Sequence, residues 1–328
     1  MSRAAAPVRL DFAGGWTDVP PYSSREGGVV VSAAIALYAR AELQRRDTGY
    51  RLVSEDLGAE LELGGAEELA SAEPLPLLRA GLRMLPVGPC TLTTRSEAPP
   101  GSGLGSSGAL DVAIVAALSA SRGETPDVRG TADLACRLEG VEAGIAGGRQ
   151  DQFTAAYGGL LRMEFRDPDA RVERLALDPG FLADMERRMV LCYTGASRFS
   201  GSTIERVMRA YERGDPAVSR SLDALRAVAD RTAEALRRGD AARLGALLTE
   251  NWRHQQALDP GMCTADMARL EHAMREAGAL GGKAAGSGAG GSMFFLAPAD
   301  PAPLHDAARA LGMQLLPVRW ALAGVQPC

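Results

Sequence analysis

The chain has 328 residues, of which 46% are hydrophobic, and its formal net charge is −5 without any block of basic residues. This length fits two domains with substantial cores, and the charge disfavours nucleic-acid binding and attachment to a membrane surface. No apolar run approaches the roughly 20 residues of a transmembrane helix, and the first ten residues lack the hydrophobic stretch of a signal peptide, so we expect a soluble cytoplasmic protein.

The spacing of the cysteines and histidines does not predict a metal site. The five cysteines are scattered without a C-x-x-C pair, which predicts reduced thiols rather than disulfides or a zinc site. The histidines His254, His272 and His305 do not pair at ligand spacing, and we interpret them as structural or surface residues. Of the 36 basic residues only Lys283 is a lysine, and it lies between two glycine clusters.

Short runs that alternate apolar and polar residues dominate the first hundred positions and predict strands. The predicted strands are VRLDFA, GGVVVSAAI, YARAELQRR, YRLVSE, AELEL and CTLTTRSE. A loop, GGWTDVPPYS, follows the first of these strands, and a helix, LPLLRAGLRML, precedes the last. A further helix is predicted from about Ser106 to Ala120.

Helical spacing takes over in the rest of the chain. RGTADLACRLEGVEAG predicts a helix, IAGGRQDQFTAAYGG a glycine-rich segment with a short helix, LLRMEFR and RVERLAL a hairpin, and RMVLCYTG a strand. Four helices follow, then a glycine-rich segment from Gly281, the helix PLHDAARALGM and the strand QLLPVRWAL. The pattern predicts an α+β fold in two lobes, residues 1–185 and 186–328, without regular βαβ alternation, and a site in the cleft between them.

One glycine-rich loop, EAPPGSGLGSSGALDVAIVAAL, contains the glycines Gly103, Gly105 and Gly108 in the pattern G-x-G-x-x-G. A dinucleotide-binding unit needs this pattern directly after a strand, with a second strand and an acidic residue about 20 positions on. Here two prolines intervene, and a loop and a helix follow. The context therefore disfavours a dinucleotide site, and the Walker pattern of P-loop proteins is absent.

A different phosphate-binding loop fits these residues better. Glycines let backbone N–H groups approach an anion, and the following helix directs its positive end at the same point. The side chain of Ser106 or Ser107 would either cap that helix or bind Mg²⁺ through its hydroxyl group.

Three segments together resemble the motifs of the GHMP kinase superfamily (galactokinase, homoserine, mevalonate and phosphomevalonate kinases). APVRLDFAGGWTD resembles the first motif, PPGSGLGSSGAL the second, which wraps the ATP phosphates, and GGKAAGSGAGGSMFF the third. The resemblance covers nearly the whole chain. It implies an N-terminal α/β lobe like ribosomal protein S5, a helix-rich C-terminal α+β lobe, and phosphoryl transfer from ATP with Mg²⁺.

Within this superfamily, VRLDFAGGWTDVPPYS, GGRQDQFTAAYGG, YTGASR and GALGGKAAGSGAGG look most like the heptose 7-phosphate kinases and the L-fucose kinases. Both groups phosphorylate an anomeric hydroxyl. Gly15 stands where galactokinases carry an acidic residue, which disfavours galactose. Ser287 and Ala289 replace an alanine and a glycine of the usual third motif.

The resemblance assigns the ATP phosphates to consecutive residues of the second motif. These are Pro100, Gly101, Ser102, Gly103, Leu104, Gly105, Ser106, Ser107 and Gly108.

Asp151 matches the catalytic aspartate of the family, where a carboxylate accepts the proton of the sugar hydroxyl. From the residues alone, Asp151 would serve equally well as an N-cap of the helix that follows. Arg9 matches a basic residue that keeps this aspartate ionised and offsets charge on the γ-phosphate. Lys283 is expected to be accessory.

Glu139 and Glu142 lie three residues apart, so both would project to a similar face of one helix. Glu139 best matches the magnesium ligand of the family, together with Ser107, and Glu142 is the second candidate. Two solvated helix carboxylates are the alternative interpretation.

The resemblance places the sugar near Gly15, Trp16 and Asp18, with Asp18 accepting from a sugar hydroxyl and Trp16 and Tyr22 as candidate walls. Further substrate contacts are expected from Gln150, Gly286 and Gly288. Arg149 and Arg198 are candidates for a phosphate at the far end of the sugar, although each could equally be a surface arginine.

We therefore expect an ATP- and Mg²⁺-dependent kinase acting on the anomeric hydroxyl of a heptose 7-phosphate, to give a heptose 1,7-bisphosphate. The alternatives are an anomeric kinase of a free sugar such as L-fucose and an inactive sugar-binding module of the same fold. The expected partners are ATP and a sugar phosphate, with no nucleic acid and no membrane, and a homodimer is left open.

Overall fold

The computed structural model describes residues 1–71, 73–195 and 201–327. The strands are β1 (Ser2–Ala13), β2 (Gly28–Arg45), β3 (Tyr50–Ser54), β4 (Ala59–Leu63), β5 (Cys90–Ser96), β6 (Leu160–Arg166), β7 (Asp169–Arg174), β8 (Met189–Tyr193), β9 (Gly281–Ala284), β10 (Ser292–Leu296), β11 (Gln314–Leu316) and β12 (Gln326–Pro327). The helices are α1 (Tyr22–Glu26), α2 (Pro76–Met84), α3 (Ser106–Ser121), α4 (Val128–Arg137), α5 (Gln150–Tyr157), α6 (Pro179–Arg188), α7 (Gly201–Glu212), α8 (Pro216–Arg237), α9 (Ala241–Gln256), α10 (Ala265–Glu276) and α11 (Ala302–Ala310).

The first sheet is organised around β2, which has 18 residues and alternates buried and partly buried positions along its second half. It pairs antiparallel with β1 on one side, and on the other with β6 through its first half and with β5 through its second. The sheet order is β12-β1-β2-β5-β3-β4, and β7 extends it through β6. Only β3 and β5 pair in parallel along this path.

The prediction of two strands in the region of β2 was wrong, because one strand runs through. The interruption in its pattern falls at Ala36 and Leu37, where the register with β1 shifts between Pro7 and Val8. A β-bulge of this kind breaks the period-2 pattern without ending the strand.

The second sheet has the order β11-β8-β10-β9 and is antiparallel throughout. Sequence reasoning missed β9 and β10, because the glycine-rich sequence around them is typical of loops. It also missed α6, which begins with Asp178 as N-cap, its side chain accepting from the N–H of Phe181, and a proline in the first turn.

Helices join the two sheets into one structure. The almost wholly buried α3 packs against β1 and β2 and against α2, α4 and α5. On the C-terminal side, α8 packs against β1 and β2, and α9 packs against β1 and β9. Because α9 touches a strand of each sheet, it fixes the position of the third motif relative to the first.

The α+β class without βαβ alternation is confirmed, with strands concentrated in the first half of the chain and helices in the second. The lobe boundary between residues 185 and 186 stays a prediction. None of the helices in the described ranges is long and apolar enough to cross a membrane.

Candidate active site

The three motifs meet around one cavity of about 450 Å³. Its walls come from β1 and the turn after it, the loop before α3, the segment that leads into α5, and the turn between β9 and β10. The residues of the three motifs that line it are Arg9, Asp11, Gly15, Trp16, Asp18, Pro100, Gly101, Ser102, Gly103, Gly105, Ser106, Ser107, Gly286 and Ser287. Glu139, Gln150 and Asp151 line it as well, whereas Leu104 and Gly108 of the second motif do not. Distant parts of the sequence thus contribute to a single concave site, as is typical of ligand-binding sites.

The loop before α3 has the conformation that its glycines predict. Gly101, Gly103 and Gly105 have φ values of 67°, 72° and 75°, a region in which side chains are strained. Gly105 is the N-cap of α3, and no side chain caps this helix. The alternative that Ser106 or Ser107 caps the helix is therefore wrong, and the N–H groups of its first turn remain available to an anion.

Arg9 connects all three motifs. Its Nε donates to Asp151 Oδ1 at 2.7 Å, and its Nη1 donates to the carbonyl oxygens of Gly103 at 2.7 Å and Ala285 at 2.9 Å. Arg9 is buried, whereas the Asp151 side chain keeps 24% of its surface exposed and lines the cavity. One arginine therefore holds the candidate base against the phosphate loop.

Asp151 is not the N-cap of α5, because that position belongs to Arg149 and no side chain caps the helix. Asp151 lies in the first turn, where the helix dipole also favours a carboxylate. Asp151 packs closely against α3. If Gly108 carried a Cβ atom, that atom would lie only 2.5 Å from Asp151 Cβ. Gly108 thus contributes by making room rather than by lining the cavity.

Asp18 is buried beside the start of α5. Its Oδ2 accepts from the backbone N–H groups of Arg149 at 2.8 Å and Gln150 at 2.9 Å. The pKa of Asp18 is raised from 3.8 to about 6, chiefly by burial and also by the nearby charges of Asp151 and Asp11, against the lowering effect of the N–H of Gln150. The side chain therefore orders the start of α5 and lines the cavity.

Glu139 lies on a π-helical turn, Leu138–Glu142, which directly follows α4. The pKa of Glu139 is raised from 4.5 to about 7, chiefly by burial and also by the charge of Asp151, against the lowering effect of hydrogen bonds with Ser107 and Gln152. Glu142 does not line the cavity, and its Oε1 accepts from Arg137 Nη2 at 3.0 Å. The turn thus sends two carboxylates that are close in sequence to different surroundings.

Ser107 and Glu139 fit a magnesium ion bound together with nucleotide phosphates. Both supply the oxygen ligands that Mg²⁺ prefers, and both line the cavity at the N-terminus of α3. Within the described ranges, no group of three or more His, Cys, Asp or Glu side chains could hold a metal by itself. Phosphate oxygens would therefore have to complete the coordination.

Of the remaining predicted substrate residues, Gly15, Trp16, Gln150 and Gly286 line the cavity, whereas Gly288 does not. A Cβ at Gly288 would meet Met262 rather than open space. Tyr22 as a wall of the sugar site was wrong, because it is fully buried and its hydroxyl donates to Asp223 Oδ1 at 2.7 Å.

The guanidinium of Arg149 faces away from the cavity, so the structure contradicts its role as a phosphate contact. Its nitrogens bind Asp133 and Asp167 at 3.1 Å each, and its Cζ lies 5.2 Å from the ring centre of Phe153. Only the backbone N–H of Arg149 reaches the site, through Asp18. Arg198, the other candidate, lies outside the described residues.

Lys283 is a structural part of the site, as its accessory role anticipated. Its fully buried Nζ donates to Asp11 Oδ2 at 2.9 Å, to the carbonyl oxygen of Asp11 at 2.6 Å and to that of Ala284 at 2.8 Å. Asp11 was missed, although it follows Arg9 by two residues and so shares its face of β1. This ion pair joins the first and third motifs.

Sequence reasoning also missed two buried amides of α9. Asn251 Oδ1 accepts from the N–H of Gly14 at 3.0 Å, and Gln255 Nε2 donates to the carbonyl oxygen of Gly286 at 2.8 Å. The two residues are four apart and therefore on one face of the helix, and buried amides at that spacing were the available signal. They hold two turns of the cavity wall from the C-terminal side.

Comparison with known proteins gives two family matches. Residues 74–159 match the GHMP kinases N terminal domain, and residues 232–312 match the GHMP kinases C terminal domain.

Whole-chain similarity points to sugar kinases. The chain is 30% identical to a D-glycero-alpha-D-manno-heptose 7-phosphate kinase of Campylobacter jejuni over 94% of this chain and 92% of that protein. It is 27% identical to the bifunctional fucokinase/GDP-fucose pyrophosphorylase of Arabidopsis thaliana over 90% of this chain but 30% of that larger protein. A crystal structure of a D-glycero-D-manno-heptose 1-phosphate kinase from Bacteroides thetaiotaomicron matches with a TM-score of 0.79 and 26% identity, over 100% of this chain and 99% of that one.

Substitutions of the candidate metal ligands should weaken binding of the magnesium–nucleotide complex. Ser107→Ala and Glu139→Gln each remove an oxygen ligand, so the Kd of Mg²⁺–AMPPNP should rise on the order of tenfold or more, while that of metal-free AMPPNP changes little. Isothermal titration calorimetry measures both. Glu142→Gln is the matched control, because Glu142 is paired with Arg137 outside the cavity; an effect of this control without one of Glu139→Gln would contradict the assignment.

The buried carboxyl of Asp18 should make stability depend on pH in a defined direction. Because its pKa is raised to about 6 in the folded state, its contribution is fully present below pH 3.8 and is lost as the pH rises through 6. The stability of Asp18→Asn relative to the wild type should therefore increase by up to roughly 3 kcal/mol between pH 4 and pH 7.

Urea unfolding at several pH values measures this difference. Asp306→Asn, which changes a largely exposed carboxylate, should give a profile parallel to that of the wild type. A parallel profile for Asp18→Asn as well would show that the carboxyl of Asp18 is not perturbed.

Proposed function

The chain belongs to the GHMP kinases, and we propose on that basis that it transfers the γ-phosphate of ATP to the anomeric hydroxyl of a heptose 7-phosphate. The products are ADP and a heptose 1,7-bisphosphate. The observation that carries the proposal is the Arg9–Asp151 ion pair, which stands in the cavity beside the uncapped N-terminus of α3.

The phosphates of ATP would bind at the glycine loop and the first turn of α3. The N–H groups there supply hydrogen bonds without a side chain in the way, and the positive end of the helix supplies charge. Mg²⁺, held by Ser107 and Glu139, would neutralise part of the phosphate charge. The protein thereby fixes the γ-phosphate near Asp151, which lies against the same helix.

Asp151 would act on the sugar hydroxyl. As the anomeric oxygen forms its bond to the γ-phosphorus, its proton passes to the Asp151 carboxylate, and the bond to the leaving ADP oxygen breaks. Arg9 keeps the Asp151 carboxylate oriented, and its charge counters the charge on the transferred group. Asp18 would accept a hydrogen bond from another sugar hydroxyl, because its carboxyl lines the same cavity.

The heptose 7-phosphate is favoured over a free sugar by the relative from Campylobacter jejuni, which matches over nearly the full length of both chains. The second candidate is L-fucose, supported by the fucokinase part of the Arabidopsis relative. Among the described residues that line the cavity, Arg9 is the only cation, and it is already paired with Asp151. A distal phosphate would therefore need Arg198 or backbone N–H groups.

Arg198 stays the candidate for that phosphate because a residue close to it in the sequence lines the cavity. Ile204, six residues later, lines the cavity. Arginine binds phosphate through two parallel hydrogen bonds, and Ser197 and Ser200, its neighbours in the sequence, would offer further hydroxyl groups.

Asp151→Asn should abolish most turnover while leaving ATP binding intact. The substitution preserves size but removes the proton acceptor, a loss typically worth 10²–10⁴-fold in rate. Steady-state kinetics with a heptose 7-phosphate gives kcat, and calorimetry with AMPPNP tests binding. The control Asp133→Asn changes a carboxylate that pairs with Arg149 outside the cavity and should retain turnover; near-normal kcat in Asp151→Asn would mean that another group accepts the proton.

Arg198→Ala should raise KM for the sugar phosphate at least tenfold, on the order of 1.4 kcal/mol, because a charged contact to the distal phosphate is lost. KM for ATP should stay nearly unchanged. Arg209→Ala, which removes an exposed arginine of α7 paired with Glu205, serves as the control.

Steady-state kinetics of the wild-type protein tests whether the acceptor is a sugar phosphate or a free sugar. A heptose 7-phosphate should have a much higher kcat/KM than the free heptose. Equal values would overturn phosphate recognition and favour the free-sugar kinase.

A further inference from the structure

Behind the wall of the cavity, the side chain of Gln152 lies between two buried carboxyl groups. Its Nε2 donates to Glu139 Oε2 at 2.6 Å and to Asp111 Oδ2 at 3.4 Å. All three side chains belong to buried residues. Neither Gln152 nor Asp111 lines the cavity, whereas Glu139, which accepts a hydrogen bond from Gln152, does.

Each member of this cluster is a close neighbour of a residue in the site. Asp111 follows Ser107 by four residues on α3, and Gln152 follows Asp151 on α5. Glu139 comes from the π-helical turn after α4, whose short hydrogen-bonded run gives little support of its own. The cluster therefore links the metal-ligand candidate to both helices that carry catalytic groups.

Keeping a carboxyl group at position 111 costs stability. Within the described ranges, Asp111 Oδ1 and Gln152 Oε1 are buried without a hydrogen-bond partner. An apolar side chain of similar volume would avoid that cost. The Asp111 carboxyl does, however, orient the amide of Gln152. Because Asp111 offers a hydrogen-bond acceptor, it favours the amide orientation in which the NH₂ group points toward Asp111 and Glu139 and the oxygen points away.

We propose that Gln152, oriented by Asp111, is a positioning residue that sets the direction of the Glu139 carboxylate and thereby the affinity of the site for the magnesium–nucleotide complex. The inference rests on the proposed function in that it takes Glu139 as the metal ligand. Hydrogen bonds of this kind to a ligating carboxylate commonly change metal affinity by 10- to 100-fold.

The test uses Gln152→Met, which keeps length and volume but cannot donate a hydrogen bond. The Kd of Mg²⁺–AMPPNP should rise about tenfold while that of metal-free AMPPNP stays unchanged, and binding of Mn²⁺ with AMPPNP, followed by electron paramagnetic resonance, should weaken in parallel. Gln152→Asn, whose shorter amide cannot reach Glu139 at the same distance, serves as a second variant if the first does not fold. Asp111→Asn should weaken Mg²⁺–AMPPNP binding less than either.

Thr154→Val is the matched control, because Thr154 is fully buried on the same helix and its hydroxyl has no partner among the described residues. It should leave both affinities unchanged, whatever it does to the unfolding temperature. Equal Mg²⁺–AMPPNP affinity in Gln152→Met and the wild type, or equal weakening in Thr154→Val, would overturn the proposal.

A double-mutant cycle separates this inference from the metal assignment. If Gln152 acts through Glu139, adding Gln152→Met to Glu139→Gln should cause no further loss of Mg²⁺–AMPPNP affinity. Additive losses would show that Gln152 acts by another route and overturn the inference alone. If Glu139→Gln has no effect on the magnesium complex, both the metal assignment and the inference are wrong.

Discussion

The hydrogen bonds of Arg9 are the interaction on which the site depends. The guanidinium binds Asp151 and two backbone carbonyl oxygens, one from the glycine loop and one from the turn after β9. The backbone N–H of Arg9 donates to the carbonyl oxygen of Leu104 at 2.8 Å, and that of Asp11 to Ala285 at 3.1 Å. A planar group with five donors can make these bonds together, whereas a lysine could not reproduce their geometry.

Concentrating carboxyl groups in a buried site has an energetic consequence. Burial raises the pKa of Asp18, Glu139 and Asp111, and the last lies well above its ordinary value. The charge of Asp151 adds to the effect of burial at all three groups, and a cation bound with nucleotide at Glu139 would favour their ionised forms. The buried pair of Asp11 and Lys283 shows the other solution, in which the protein provides the counter-charge itself.

The residues found in advance were those of local motifs. The glycine loop, Arg9, Asp151 and Glu139 line one cavity, and their roles in binding and catalysis stay predictions. The contact of Asn251 was missed, since only packing brings α9 near the site. That of Gln152 was missed because it depends on how α5 packs against the turn that carries Glu139. The guanidinium of Arg149 was assigned to the cavity, but the aromatic faces of Phe153 and Phe165 and two carboxylates hold it on the other side.

By itself, the sequence determined the α+β class, the conformation of the glycine loop before α3 and the set of candidate chemical groups, because glycine patterns and hydrophobic periodicity act over short distances. Which groups face the cavity was decided by tertiary structure alone. Glu139 and Glu142 are alike in sequence, yet the π-helical turn buries the first beside Ser107 and leaves the second with Arg137. The physical reason is that side-chain direction follows from the rotation of each helix against its neighbours, and that rotation is set by the packing of the whole core.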